Sequence, residues 1–180
     1  DIDLGKSVMG VAHNYCNTKV QKYVSEKLHI SPDDYFNSGI LLINCEEFTN
    51  KNIGTKCFDE LKKHTDLNFP DQDILNVVCN GMVTYFDYRW NFQWHHLWGE
   101  SCNMPIAEEY HDIYFSASED PHIVHFTTAI KAWNSPNKMY SNEFWAYAKN
   151  SVFFNDIISM NFRPDNYRKE LMGKTKISVI

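Results

Sequence analysis

The sequence predicts an α/β fold, and three observations carry that expectation. Short apolar runs at residues 8–12, 40–43, 83–86 and 123–126 are too brief for helices and are bounded by turn-formers, as strands are. Between them, residues 52–64 and 70–81 show the spacing of amphipathic helices. In a chain of 180 residues, 43% apolar and 15% aromatic content supplies material for one sizeable core or one lobe of a larger domain. Strands alternating with helices define the class.

Taken in order, residues 8–12 read as the first strand. Ser31-Pro32-Asp33-Asp34 has the chemistry of a helix start, with Ser31 as cap and Pro32 at the first position, and predicts a single turn. Residues 40–43 then read as a strand buried on both faces. Asn37-Ser38-Gly39 stands at its entrance, and a glycine there permits positive φ or a close approach of a ligand to the main chain. An ordinary Asn-Ser-Gly turn fits the same residues. In 52–64, Ile53, Cys57, Phe58 and Leu61 form one stripe, and Asp59 and Lys63 are spaced as an ion pair. In the next helix Ile74, Leu75, Val77 and Val78 give the buried stripe and Gly81 the stop, which crowds Asp71, Gln72 and Asp73 into its first turn. Residues 83–86 and 89–92 read as short strands, 93–118 as a long irregular connection, and 123–126 as a further strand. Ser141 is placed to cap a helix reaching Lys149, and a second helical stretch runs through Ile157 and Ile158.

The net charge of −6 argues against nucleic-acid binding. It is unevenly spread. Residues 163–176 carry five basic groups against two acids, a local +3 that leaves −9 on the remainder. Aromatic and branched residues before that stretch (Trp145, Phe153, Phe154, Ile157, Ile158, Phe162) suit either a helix lying in an anionic membrane surface or packing into a core or dimer contact. The five cysteines are irregularly spaced, with no C-x-x-C pair, so a reducing compartment is expected rather than a disulfide framework or zinc ribbon. No signal peptide opens the chain and no apolar run suffices to cross a bilayer. The expected location is cytoplasmic, peripheral on the inner face of the cytoplasmic membrane if the C-terminal segment docks there.

Two clusters could carry chemistry. Asp71-Gln72-Asp73 sits at a helix start, where free N–H groups and the macrodipole stabilise acids and where α/β folds also hold hydroxylated ligands. Around His122-Ile123-Val124-His125, a strand end followed by a small-residue turn and Lys131 could bring an imidazole to a metal and an ammonium to a phosphate. A strand-end histidine also serves as a hydrogen-bonded packing residue. His122 and His125 point to opposite faces of a strand, so they do not share one metal. His95-His96 is a weaker candidate, since neighbours face apart.

Three ordered segments resemble glycosyltransferase family 8. Phe36-Asn37-Ser38-Gly39-Ile40-Leu41-Leu42-Ile43-Asn44 is similar to the family's F-N-[SA]-G-V-L-L-I-N strand. Asp71-Gln72-Asp73-Ile74-Leu75-Asn76 is similar to its D-Q-D-I-L-N, with Arg89-Trp90-Asn91-Phe92 like the strand that follows. The segment from His125 to Trp133 is similar to H-x-x-G-x-x-K-P-W, with Thr128 where the family has glycine and Ala132 where it has proline. Asp1-Ile2-Asp3-Leu4-Gly5 resembles a segment downstream of the family's metal-binding D-x-D, which would place the nucleotide-binding half upstream of this chain.

The resemblance implies a GT-A-like mixed sheet with flanking helices, incomplete at the N-terminus. Residues 1–140 would form the acceptor-side part, and 141–180 a helical, basic C-terminal extension of the lipopolysaccharide glucosyl- and galactosyltransferase branch. It implies retaining transfer of a hexose from a UDP-sugar to a saccharide or lipid-linked saccharide, with Mn²⁺ or Mg²⁺ as cofactor. Of the site residues, it implies His125 as metal ligand, Gln72 and Asp71 as catalytic groups, and Asn37, Ser38, Gly39, Asp73, Thr128 and Lys131 as substrate-binding. Gln72 is a neutral amide and a poor nucleophile, which favours same-face attack over a covalent intermediate. The 180 residues alone are expected to be inactive. The rival readings are a non-catalytic saccharide-binding or membrane-docking module, and a metal-dependent hydrolase, for which the sequence offers no convincing ligand set.

Overall fold

The computed structural model describes residues 2–94, 106–127, 131–134 and 139–161. The chain forms two compact units, Asp1–Thr127 and Thr128–Ile180. In the first, β1 (Met9–His13) is the middle strand of a mixed sheet. Helix α1 (Thr18–Tyr23) starts where the Asn17 side chain accepts from the Lys19 and Val20 N–H groups, and it runs on into a wide turn, Val24–Leu28. A 3-10 turn at Pro32–Asp34 forms where the Ser-Pro-Asp-Asp pattern predicts it, although Ser31 makes no side-chain cap.

Strand β2 (Phe36–Ile43) pairs antiparallel with β1, and β3 (Val83–Tyr85) pairs parallel with it on the other side. Gly10 faces Leu42 and Ala12 faces Asn37, so Ser38 to Leu41 stand opposite Val11 alone. This bulge kinks β2 and re-aims its first residues, as bulges beside functional sites do. It also overturns the expectation of a strand buried on both faces. Leu42 and Ile43 are 44% and 45% exposed, and among the described residues β2 is an edge strand. With Phe86, Trp90 and Ile123, residues Ile40 to Leu42 line an open apolar groove of about 400 Å³. Apolar content alone does not distinguish an edge strand from a central one.

Helices α2 (Cys45–Asn50), α3 (Ile53–Leu61) and α4 (Pro70–Cys79) follow β2. The core against the sheet consists of Val8, Met9, Val11, Phe36, Ile53 and Cys79. Each large side chain among them contributes about 1.5–3 kcal/mol relative to exposure. Of the stripe expected on α3, Ile53 is buried, whereas Phe58 and Leu61 face outward at 69% and 44% exposure. Asp59 pairs with Lys62 and Glu60 with Lys63, in place of the expected Asp59–Lys63 pair. Gly81, at φ +72°, turns the chain away after α4 as its position predicts.

The expected strand at 89–92 is mostly a 3-10 turn, Tyr88–Asn91, started by the Asp87 carboxylate accepting from the Arg89 N–H. Only β4 (Phe92–Gln93) remains extended, and it pairs parallel with β5 (Val124–His125), placing Gln93 opposite His125. Within the expected irregular connection, α5 (His111–Glu119) forms. Tyr110, Tyr114 and Ala117 recur at helical spacing on its buried side.

In the second unit, α6 (Ser141–Ala148) begins from Tyr140 at φ +62°, so Ser141 is the first helical residue and not the cap. Helix α7 (Phe154–Asn161) follows after a turn at Asn150 and Ser151. Trp133 packs on Phe144 and Trp145 on Phe154, while Tyr147, Val152, Phe153 and Met160 are each more than 60% exposed. No helix among the described residues is long and apolar enough to cross a membrane. Cys16, Cys45, Cys57 and Cys79 are free thiols.

Candidate active site

The site is built on the first turn of α4. Successive helical residues point 100° apart, so Asp71 and Asp73 cannot share a face. Asp71 is exposed and accepts a 2.8 Å hydrogen bond from Ser38 Oγ. Asp73 is fully buried, and its carboxylate accepts from Tyr35 Oη at 2.5 Å, Tyr23 Oη at 2.6 Å and the Phe69 N–H at 2.9 Å. Burial and the bond to this carboxylate push the Tyr23 hydroxyl up to about 12, and the Tyr35 hydroxyl is raised by the same two causes. Asp73, expected on the substrate side, is therefore turned into the protein and braces α4 from behind.

One turn on, buried Asn76 ties the helix to β2. Its Oδ1 accepts from the Phe36 N–H and its Nδ2 donates to the Phe36 carbonyl, both at 2.8 Å. The side chain stands in for a neighbouring strand, and this fixes Gln72 beside Asn37. Asn37 Nδ2 donates to Gln72 Oε1 at 2.9 Å, and the Ser38 N–H donates to the same oxygen at 3.2 Å.

From Asn37 the line continues. Asn37 Oδ1 accepts from the Gly39 N–H at 2.9 Å and from Asn91 Nδ2 at 3.0 Å, and Asn91 Oδ1 lies 3.0 Å from His125 Nδ1. Two main-chain N–H groups, of Ser38 and Gly39, can only donate, so they fix both carboxamide oxygens they face. The Asn91 group turned toward Asn37 must then be the amide nitrogen, which leaves its oxygen for His125. In its neutral form the imidazole accordingly carries its proton on Nδ1 and its lone pair on Nε2. Gly39 makes room for the ring, since a Cβ there would stand 2.0 Å from His125 Cε1. The close approach expected at Gly39 is made by this imidazole.

Asn37, Ser38, Gly39, Asp71, Gln72 and His125 are thus brought together from three distant segments. Lys131 belongs to the second unit, where its main-chain N–H donates to Asn134 Oδ1 at 2.7 Å. Thr128, His95 and His96 lie outside the described residues. His122 is exposed and packs edge-on against Trp90, off the strand. Asp3 Oδ1 accepts from the Gly5 N–H and serves a local turn. Asn91 is the site residue that sequence reasoning passes over. The signal was present only in the resemblance of the segment around it, because a buried amide has no local pattern.

As a test of fit for a divalent cation, the tautomer of His125 suits a ligand through Nε2. Among the described residues no group of three His, Cys, Asp or Glu side chains could hold a metal ion. A cation held by His125 would need its other ligands from outside the described residues. Gln93, opposite it in the ladder, donates to the His13 carbonyl, and its buried Oε1 has no hydrogen-bond partner among the described residues.

Comparison with known proteins places this arrangement in a family. The sequence profile of Glycosyl transferase family 8 matches residues 1–137. The chain belongs to glycosyltransferase family 8 and has its GT-A-like mixed α/β fold. General stress protein A of Bacillus subtilis (strain 168) is 33% identical over 117 residues, covering 63% of this chain and 40% of that protein. A lipopolysaccharide 1,2-glucosyltransferase of Escherichia coli is 26% identical over 144 residues, covering 75% and 37%. The chain spans less than half the length of the curated relatives it matches. The apo structure of the bifunctional glycosyltransferase WbbM superposes with a TM-score of 0.74 at 20% identity, covering 91% of this chain and 31% of that one. Galactosyltransferase LgtC in complex with donor and acceptor sugar analogs gives 0.59 at 23%, covering 82% and 52%.

Proposed function

We propose that the whole protein transfers a hexose from a UDP-sugar to a saccharide or lipid-linked saccharide, with retention of configuration, in the synthesis of lipopolysaccharide or another surface glycan. The observation that carries this reading is the continuous line from Gln72 through Asn37 and Asn91 to His125, which joins the polar start of α4 to an imidazole whose Nδ1 is turned to an amide oxygen. Mn²⁺ or Mg²⁺ bound through His125 would neutralise charge on the departing diphosphate. Asn37, Ser38, Gly39 and exposed Asp71 form the donor-sugar side, with Lys131 and Thr128 contributing to the diphosphate. Gln72 Oε1 already accepts two N–H donors, which lowers its nucleophilicity. This supports same-face attack over a covalent intermediate on that oxygen.

The test is calorimetry of UDP binding with Mn²⁺ to the full-length protein, together with turnover of UDP-glucose and UDP-galactose. His125→Ala is expected to weaken metal-dependent UDP binding by at least about 10-fold, whereas His122→Ala leaves it close to wild type. Equal losses in the two variants would remove His125 from the role.

The second unit supports the further proposal of a peripheral site on the cytoplasmic face of the membrane. Its exposed Tyr147, Val152, Phe153 and Met160 precede the basic stretch 163–176, and each Lys or Arg near an anionic surface adds roughly 1 kcal/mol. Sedimentation with anionic vesicles should carry the protein down at low salt and release it at high salt. Binding indifferent to lipid charge, or none, would discard this proposal.

A further inference from the structure

We propose that Asn91 is the positioning residue for His125: its carboxamide transmits the fixed polarity of the Ser38 and Gly39 main-chain amides to the imidazole and imposes the Nδ1-protonated tautomer, which puts the lone pair on Nε2. The proposal rests on the functional reading above for the use of that lone pair, and on geometry alone for the tautomer.

Asn91 is fully buried and bridges two side chains from different segments, Asn37 and His125, at 3.0 Å on each side. The carboxamide offers a donor on one side and an acceptor on the other with no net charge. An aspartate would face Asn37 Oδ1 with a second acceptor, and a leucine would offer neither bond. In water the two neutral tautomers of an imidazole interconvert freely, and the Asn91 oxygen facing Nδ1 favours the one protonated there. A ligand atom must present a lone pair, and outer-shell groups that fix the tautomer of a ligating histidine typically change metal affinity 10–100-fold. Two neutral side chains in series, Asn37 and Asn91, link the Gly39 N–H to the ring. Each one passes on the donor-acceptor order of the last.

The decisive measurement is nitrogen–proton correlation of the side chains in full-length protein labelled with ¹⁵N at histidine, at one neutral pH and with neither cation nor nucleotide. His125 is identified as the signal lost in His125→Ala. Wild-type protein should show His125 protonated at Nδ1. Asn91→Leu should move the proton wholly or partly to Nε2, whereas Asn91→Asp, which still offers an acceptor to Nδ1, should keep the wild-type tautomer. A wild-type Nε2–H signal overturns the proposal without recourse to any variant, as does an Asn91→Leu spectrum with the Nδ1 proton intact. UDP affinity with Mn²⁺ should fall about 10–100-fold in Asn91→Leu, and an unchanged affinity beside a changed tautomer would overturn the part played in ligation. Because the tautomer is read without ligands, it is separable from the functional reading. If His125→Ala leaves UDP binding intact while the Asn91 variants behave as stated, the functional reading fails and the control of the tautomer stands.

Discussion

Gly39→Ala is expected to silence the full-length enzyme while leaving its fold in place, with kcat/KM down by at least about 100-fold. The added Cβ would stand 2.0 Å from His125 Cε1, 2.7 Å from Nε2 and 2.8 Å from Nδ1, against an ordinary contact of 3.4 Å or more. The ring must retreat by about 1.4 Å, and in doing so it leaves the 3.0 Å bond to Asn91. A misplacement of this size is enough to cost about 10²-fold in a preorganised site. Folding is a lesser matter, because Gly39 is exposed and is not among the positive-φ residues. Thermal melts of the variant should lie within a few degrees of wild type. A Gly39→Ala enzyme that is fully active would show that the imidazole works from some other position.

Asp73→Ala and Asp71→Ala should part company in the opposite sense. Removing the Asp73 carboxylate leaves the fully buried Tyr35 hydroxyl without this acceptor and takes the same acceptor from the half-buried Tyr23 hydroxyl and the Phe69 N–H. A buried donor left without its acceptor costs about 1–3 kcal/mol. Removing Asp71 takes away an exposed acid at a helix start, worth about 1 kcal/mol, yet kcat should fall by at least about 100-fold if it holds the donor sugar. Urea unfolding separates the two effects from activity. Equal destabilisation by both substitutions would mean that inside and outside have been assigned wrongly on α4. A pH series adds a check on sign. Tyr23 titrates near 10 when unfolded and is pushed up to about 12 in the fold. The stability linked to it is complete below pH 10 and is lost as pH rises through about 12, and this alkaline loss should shrink in Asp73→Ala.

Much of this was legible in the sequence, and the reasons differ by element. Strand β1, helix α4 with its Pro70 start and Gly81 exit, and β5 follow from local rules, which need only neighbouring residues. The split between Asp71 and Asp73 was also derivable, since two residues on a helix are 200° apart. Helix α5 was hidden because rings crowd its sequence without an N-cap, so that the 110, 114, 117 spacing competes with aromatic neighbours on its outer side. The exposure of Leu42 and Ile43 depends on which strands lie beside β2, which no local pattern contains. Asn91 was the hardest. Its partner Asn37 is 54 residues away, and an amide's value lies wholly in what it faces.

The line from Gln72 to His125 has a consequence for behaviour in brine. Surface pairs such as Lys27 with Asp66 or Lys62 with Asp59 are Coulombic contacts in water, and dissolved ions screen them over about 10 Å at 0.1 M and about 3 Å at 1 M. Gln72, Asn37 and Asn91 are dipoles without net charge, all buried, so there is no field for counterions to collapse around. Concentrated salt therefore slackens the periphery of the molecule and leaves the aim of the imidazole where the two main-chain amides set it.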